Sequence, residues 1–248
     1  MERSVHFRGI VIRHTNYDEA DRFITFLTPF QGKVSALAKG VRKMNSRKAG
    51  HLQPFTYVDV QLSKGRGASW LINQVSTIEA YPEILSSLEK TVRTSCILEL
   101  AERFSLENVE NVQLFQLTLD TLRRMTLIND FFPVQRYFDL HLLSAAGYQL
   151  QLFECVRCRK KILPEDQFIH FGLGGVLCPD CGEAVSGSRR ISMKALKFLR
   201  YYQTRPFAEA AAAGWPQDIR MESENILTAY QSYLLERKTN SQQFLEHM

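Results

Sequence analysis

The sequence predicts an α+β protein: a small closed five-stranded barrel at the front, a helical bundle behind it, and a four-cysteine metal finger inserted among the helices. Three observations predict this. Up to Glu79, short runs rich in Val, Ile, Thr, Phe and Tyr alternate with turn residues; beyond Tyr81, apolar residues recur at helical spacing; and two CxxC pairs interrupt the helical part.

Five runs carry strand character: Val5 to His14, Asp21 to Thr28, Gly32 to Lys39, Thr56 to Leu62 and Ser69 to Ile78. Greek-key barrels of this size are commonly OB-folds, which bind oligonucleotides on one face and its flanking loops; an SH3-like barrel is the competing architecture. In Thr56 to Leu62 the period of two puts Thr56, Val58, Val60 and Leu62 on one face and Phe55, Tyr57, Asp59 and Gln61 on the other. Phe55 and Tyr57 therefore read either as stacking platforms for bases or as apolar cover for a barrel end.

In the helical part, Leu88 to Leu106 sets Val92, Cys96, Leu100 and Phe104 on one stripe, and Val112 to Leu127 does the same with Leu114, Leu117, Leu122 and Met125. Cys96 on such a stripe reads as a buried thiol. A third helix is expected from Pro133 to Ala146, with proline in its first turn and Gly147 closing it. Ser192 is placed to cap a helix that runs through Thr204 and stops before Pro206. Arg220 to Lys238 reads as the last amphipathic helix, with Ile226, Leu227, Tyr230, Tyr233 and Leu234 on its buried side. The expected domains are the barrel (1–79), a first helical part (80–150), the cysteine finger (151–190) and a C-terminal helical part (191–248).

Charge is concentrated at the front. Residues 1–79 hold twelve Lys or Arg against six Asp or Glu, a net +6, whereas the whole chain is +5, so the remainder is −1. Within the stretch GKVSALAKGVRKMNSRKAGHLQPF, Lys39, Arg42, Lys43, Arg47 and Lys48 crowd ten residues without an acid among them. Their mutual repulsion is relieved best by a polyanion, with a solvated linker as the other reading. Lys33, Lys64 and Arg66 extend the same track, and these cations are the candidate nucleic-acid contacts.

Cys155, Cys158, Cys178 and Cys181 spell CxxC, nineteen intervening residues, CxxC. A two-residue gap lets two thiolates on one tight turn face a single ion, and a second such turn completes a tetrahedron. Four soft sulfurs favour one structural Zn²⁺, with iron or free thiols as the alternatives. Thioredoxin-like redox chemistry lacks its βαβ context, and a deaminase would need a proline before Cys178 and an upstream HxE. His170 reads as a surface or packing histidine. Arg157, Arg159, Lys160 and Lys161 beside the first pair read as solvated charge, with a phosphate contact as the alternative.

Catalytic signatures are missing. Asp18, Glu19, Ala20 and Asp21 spell DEAD, but no GxxxxGK[ST] loop accompanies them, and HExxH, GxSxG and GxGxxG do not occur. A non-enzymatic protein is expected. No apolar run approaches the roughly 20 residues that span a bilayer, and MERSVHFRG carries no hydrophobic segment behind its charge, so a cytoplasmic protein without a membrane partner is expected.

Taken together, GIVIRHTNYDEADRFITFLTPFQGKVSALAKGVRK and SRKAGHLQPF at the front, LLSAAGYQLQLFECVRC and GGVLCPDC around the cysteines, and the late ISMKALKFLR resemble the bacterial recombination mediator family RecO. The resemblance covers most of the chain in order. It implies an N-terminal OB-fold, a helical domain and an inserted zinc finger. It further implies binding of single- and double-stranded DNA, annealing of complementary strands, and displacement of single-strand-binding protein so that RecA can load. The implied partners are RecR, the acidic C-terminal tail of single-strand-binding protein and, in one route, RecF, in a cytoplasmic, nucleoid-associated protein. An adaptor that binds mainly proteins, or an RNA-binding factor without annealing activity, is the competing expectation.

Overall fold

The barrel closes because its first strand is long enough to serve two neighbours. The computed structural model describes residues 4–65 and 69–236. In it, β1 (Ser4–Tyr17) pairs antiparallel with β4 (Tyr57–Lys64) along Ser4 to Ile10 and with β2 (Asp21–Thr28) along Ile10 to Tyr17. An irregularity between Val11 and Arg13 bends the strand from one partner to the other. β3 (Gly32–Ala38) pairs antiparallel with β2, and β5 (Trp70–Glu79) with β4. A short parallel contact of Ala36 and Leu37 with Trp70 and Leu71 completes the closed order β1-β2-β3-β5-β4. This is the five-stranded barrel expected of an OB-fold. Its core holds Val11, Ile24, Phe26, Ala36, Ala38, Val58, Val60, Leu62 and Ile72, so the alternation read in β4 is the one observed.

A 3-10 turn (Pro82–Ser86) leads into α1 (Leu88–Phe104) and α2 (Val112–Leu127). Ser87 and Asn111 cap these helices by accepting the backbone N–H groups of Lys90 and Leu114. Cys96 is buried on α1, as its stripe predicts. The β2–β3 turn is clamped to the α1–α2 connection by three backbone bonds: Lys33 N to Leu106 O (3.1 Å), Asn108 N to Gln31 O (3.0 Å) and Asn111 N to Pro29 O (3.0 Å). Gly32 sits in this clamp at φ +59°, and a Cβ there would lie 2.1 Å from the Leu106 carbonyl oxygen, so no other residue fits. The end of β5 is tied to α2 by Arg123, which donates to both oxygens of Glu79 at 2.5 and 3.0 Å, while the Tyr81 hydroxyl donates to the same carboxylate at 2.7 Å.

The chain divides into two compact units after Ile128, so α1 and α2 group with the barrel. In the second unit α3 (Phe131–Ala145) starts two residues before Pro133 because Asp130 caps it, and Gly147 follows its end at φ +82°. Then come β6 (Gln167–His170), β7 (Gly175–Leu177), α4 (Pro179–Ala184) and β8 (Arg189–Ile191), the strands forming a sheet in the order β7-β6-β8. α5 (Met193–Thr204) is capped by Ser192, as expected. α6 (Phe207–Ala212) occupies the alanine-rich stretch, and α7 (Gln217–Leu234) closes the unit. Arg136 and Asp139 of α3 form a buried pair at 3.1 Å, and Gln231 of α7 donates to Asp139 at 2.8 Å. Burial raises the Asp139 carboxyl pKa above its ordinary value. Tyr233, expected on the buried side of α7, is 54 % exposed. Lys238 lies outside the described residues.

Gly32→Ala is expected to cost about 2–3 kcal/mol in urea denaturation, because both the backbone angle and the Leu106 carbonyl exclude a side chain. The Arg123 hydrogen bond holds the Glu79 carboxyl below its ordinary value of 4.5. Its contribution is therefore present above that value and is lost as pH falls through the depressed one. Glu79→Gln should flatten the acid limb of the stability–pH curve, read from urea midpoints below about pH 5.

Candidate nucleic-acid interface and metal centre

The connection from β3 to β4 carries the basic run, and it is anchored. Val41 and Leu52 from this connection are 3 % and 1 % exposed and join the barrel core. Gly40 N donates to Asp21 Oδ1 at 2.7 Å, Arg42 N to Ala20 O at 3.0 Å and Ser46 N to Lys43 O at 3.0 Å. With apolar residues turned in and the backbone tied down, Lys39, Arg42, Lys43 and Arg47 are left exposed on one ordered loop. The DEAD letters form the turn that holds it: Asp21 receives Gly40, and the Asp18 carbonyl accepts from Arg42 Nη1 at 3.2 Å.

The remaining candidates are placed differently. Lys48 turns its ammonium onto the Ile72 carbonyl (2.6 Å) and Lys33 onto that of Glu102 (3.2 Å), so both brace the barrel with the group expected to meet phosphate. Lys64 is exposed on β4, its ammonium 5.7 Å from the centre of the Trp70 ring. Arg66 lies outside the described residues. Phe55 does not stand on the outer face of β4. It sits at φ +66° just before the strand, its N–H donating to Val11 O at 3.1 Å, and is 5 % exposed. A left-handed residue breaks the period of two on which its expected exposure rested, and a buried ring offers no face to a base.

Tyr57 is half-buried, its ring centre 5.8 Å from that of Phe115 in an edge-on arrangement. It lines a cleft of about 410 Å³ with His6, Phe7, Arg8 and residues 28–31. Phe30 in that cleft is 67 % exposed. Sequence reasoning missed these neighbours because β1, the β2–β3 turn and β4 meet only in the closed barrel.

The four cysteines converge. All four Sγ atoms lie within 4.8 Å of one another, and Cys158 Sγ is 3.8 Å from Cys178 Sγ. A tetrahedron with metal–sulfur bonds of about 2.3 Å has edges of about 3.8 Å, so the donor set fits a zinc-sized thiophilic ion. Residues 153–162 form the first knuckle as a tight hairpin: Ile162 N donates to Phe153 O (3.0 Å), Cys155 N to Lys160 O (2.9 Å) and Arg159 N to Cys155 O (2.9 Å). Cys178 and Cys181 bracket the start of α4, where Gly182 N donates to Cys178 O at 2.8 Å. Burial pushes the Cys155 thiol up, but backbone N–H groups of Cys158, Cys178 and Arg157 outweigh it and bring the thiol down to about 6. Desolvation and the neighbouring sulfurs push Cys181 up to about 12, and Cys178 is raised as well. Four sulfurs this close cannot ionise together without a cation among them. His170 stays outside the cluster, accepting from Leu173 N at Nδ1 (3.1 Å) with Nε2 3.2 Å from Ser186 O.

An OB barrel bearing an outward cationic loop, followed by a helical unit with a tetrathiolate knuckle, defines a class of two-unit barrel-and-knuckle proteins. The family model described as Recombination protein O N terminal matches residues 1–81, and that described as Recombination protein O C terminal matches 85–243. The chain is 33 % identical over 241 residues to a DNA repair protein RecO of Dehalococcoides mccartyi, covering 97 % of this chain and 94 % of that one. It is 34 % identical over 245 residues to the DNA repair protein RecO of Roseiflexus, covering 99 % and 86 % respectively. A third relative, DNA repair protein RecO of Symbiobacterium thermophilum, is 31 % identical with 96 % and 95 % covered. The chain belongs to the RecO family, and its role is in DNA repair. Among the described residues no helix is long and apolar enough to cross a membrane.

Cys178→Ser removes one of the four donors. The purified variant should lose its single equivalent of bound metal and become open to proteolysis within residues 151–190, while the barrel's unfolding transition persists. A full metal complement in that variant, read by elemental analysis, would contradict a tetrathiolate site.

Proposed function

We propose that the chain is a non-enzymatic DNA-binding mediator of repair and recombination, which binds single- and double-stranded DNA and anneals complementary strands. The observation that carries this reading is the anchored loop that turns Lys39, Arg42, Lys43 and Arg47 outward together. Neutralising phosphates on two strands lowers their mutual repulsion and releases counterions, so pairing that is slow in water becomes fast on the protein. No side chain needs to make or break a covalent bond. One structural Zn²⁺, held by Cys155, Cys158, Cys178 and Cys181, supplies folding energy to a finger too small to fold alone. Family membership supports the wider reading: action with RecR, and with RecF in one route, to load RecA onto DNA coated with single-strand-binding protein, whose acidic tail is a partner. The setting proposed is the cytoplasm, in association with the nucleoid.

With about four phosphates neutralised, the log–log salt slope for single strands should be about −2.8, at roughly 0.7 per contact. Lys43→Ala with Arg47→Ala should flatten that slope by about 1.4 and weaken binding to all sequences alike. Fluorescence anisotropy across a salt series checks both; an unchanged slope would remove the loop from the interface.

A further inference from the structure

The front half of β1 has an open edge beside an apolar cleft. Over Ser4 to Ile10 the strand pairs with β4, but its pairing with β2 begins only at Ile10, opposite Leu27. Continued along that register, Pro29 would stand opposite Arg8; proline has no N–H to donate, so the ladder stops there and the chain turns away. Among the described residues no strand pairs with the other edge of Ser4 to Gly9.

Alternation fixes which backbone groups this edge presents. Val11 bonds on the β4 side, its N–H donating to Thr56 O at 2.8 Å and its carbonyl accepting from Phe55 N at 3.1 Å. Every second residue of an antiparallel pair does the same, so Gly9, Phe7 and Val5 face β4, while His6 and Arg8 turn N–H and C=O to the open side. The cleft of about 410 Å³ runs along that side, between these residues and the β2–β3 turn.

The apolar surface continues past Phe30. The backbone bonds that clamp the turn to the α1–α2 connection set Leu106, Val109 and Val112 alongside it, and these are 65 %, 47 % and 42 % exposed. An open strand edge is ordinarily guarded by free charge. Here Asp59 lies 2.6 Å from His6 Nε2 and 3.5 Å from Arg8 Nε, so the charge on the edge is matched in place. Glu107 and Glu110 of the same connection are exposed and form no ion pair among the described residues. Such a surface repels a phosphate backbone and attracts a basic peptide.

We propose that the β1 edge and its cleft bind an extended, basic segment of a protein partner by strand addition. The partner's backbone pairs with His6 and Arg8, a large apolar side chain enters the cleft against Phe30 and Tyr57, and flanking Lys or Arg residues meet Glu107 and Glu110. The site uses none of Lys39, Arg42, Lys43 and Arg47, so it stands or falls independently of the DNA-binding reading.

The test uses the full-length chain and short fluorescent peptides with phenylalanine, leucine or tryptophan at the centre, valine and threonine around it, and lysine at each end. Anisotropy should show saturable binding of at least one of them. Glutamate in place of the lysines should weaken that peptide at least about 10-fold, and N-methylation of alternate backbone nitrogens should abolish binding. Phe30→Ser alters an exposed side chain, and Arg8→Pro removes an N–H that no bond to β4 uses. Each variant should keep the urea midpoint of the unaltered chain and bind the lysine peptide at least about 10-fold more weakly. If Arg8→Pro does not fold, Phe30→Ser decides alone. Single-stranded DNA should bind Phe30→Ser within about 2-fold of the unaltered chain. The proposal is overturned if no lysine peptide binds, if the glutamate or N-methylated peptides bind as well, or if Phe30→Ser loses DNA while keeping the peptide, which would make the cleft a stacking site for bases.

Discussion

Everything on the cationic side of the barrel depends on two apolar side chains, Val41 and Leu52, which pin a self-repelling loop into the core. Each buried side chain of this kind contributes about 1.5–3 kcal/mol. Neighbouring cations in water repel each other by only about 1 kcal/mol at 4 Å, and by less at greater separation or in salt. The apolar anchors therefore outweigh the repulsion, and the loop stays ordered with its charges outward before any partner arrives. A polyanion that binds it does not have to order it first, which keeps the entropic cost of binding low.

The same logic runs through the rest of the barrel unit. Polar groups that the sequence offers as candidates for binding are in several places committed to holding geometry: Lys33 and Lys48 satisfy backbone carbonyls, and Asp21 satisfies the amide of Gly40. Gly32 lets the β2–β3 turn and the α1–α2 connection approach so closely that three backbone bonds form between them. Paired Glu79 and Arg123 make a second tie to the helices, at the C-terminal end of β5. The cationic loop is thus carried by a barrel that is braced from its own helices.

In the second unit the four-cysteine cluster is placed for the anchoring part. Short strands of three or four residues and a six-residue helix bury little, and four thiols cannot share one spot as anions. A metal cation held among them would remove that conflict and make the cluster the fixed point from which the basic hairpin projects. Deeper in, the Arg136–Asp139 pair is buried, and the bond from Gln231 to Asp139 ties α7 to α3.

By itself the sequence determined the features that depend on local spacing. The strand alternation of Val58, Val60 and Leu62, the buried Cys96, the Ser192 cap and the convergence of Cys155, Cys158, Cys178 and Cys181 follow from periods of 2 and 3.6 or from the reach of a tight turn. The tertiary structure alone decided what depends on residues distant in the chain. It buried Phe55 through a left-handed backbone torsion that no alternation predicts, and turned Lys33 and Lys48 onto carbonyls 69 and 24 residues away. It also gathered Phe7, Phe30 and Tyr57 around one cleft. A period describes one element's own faces; which face another element covers is set only when the chain closes on itself.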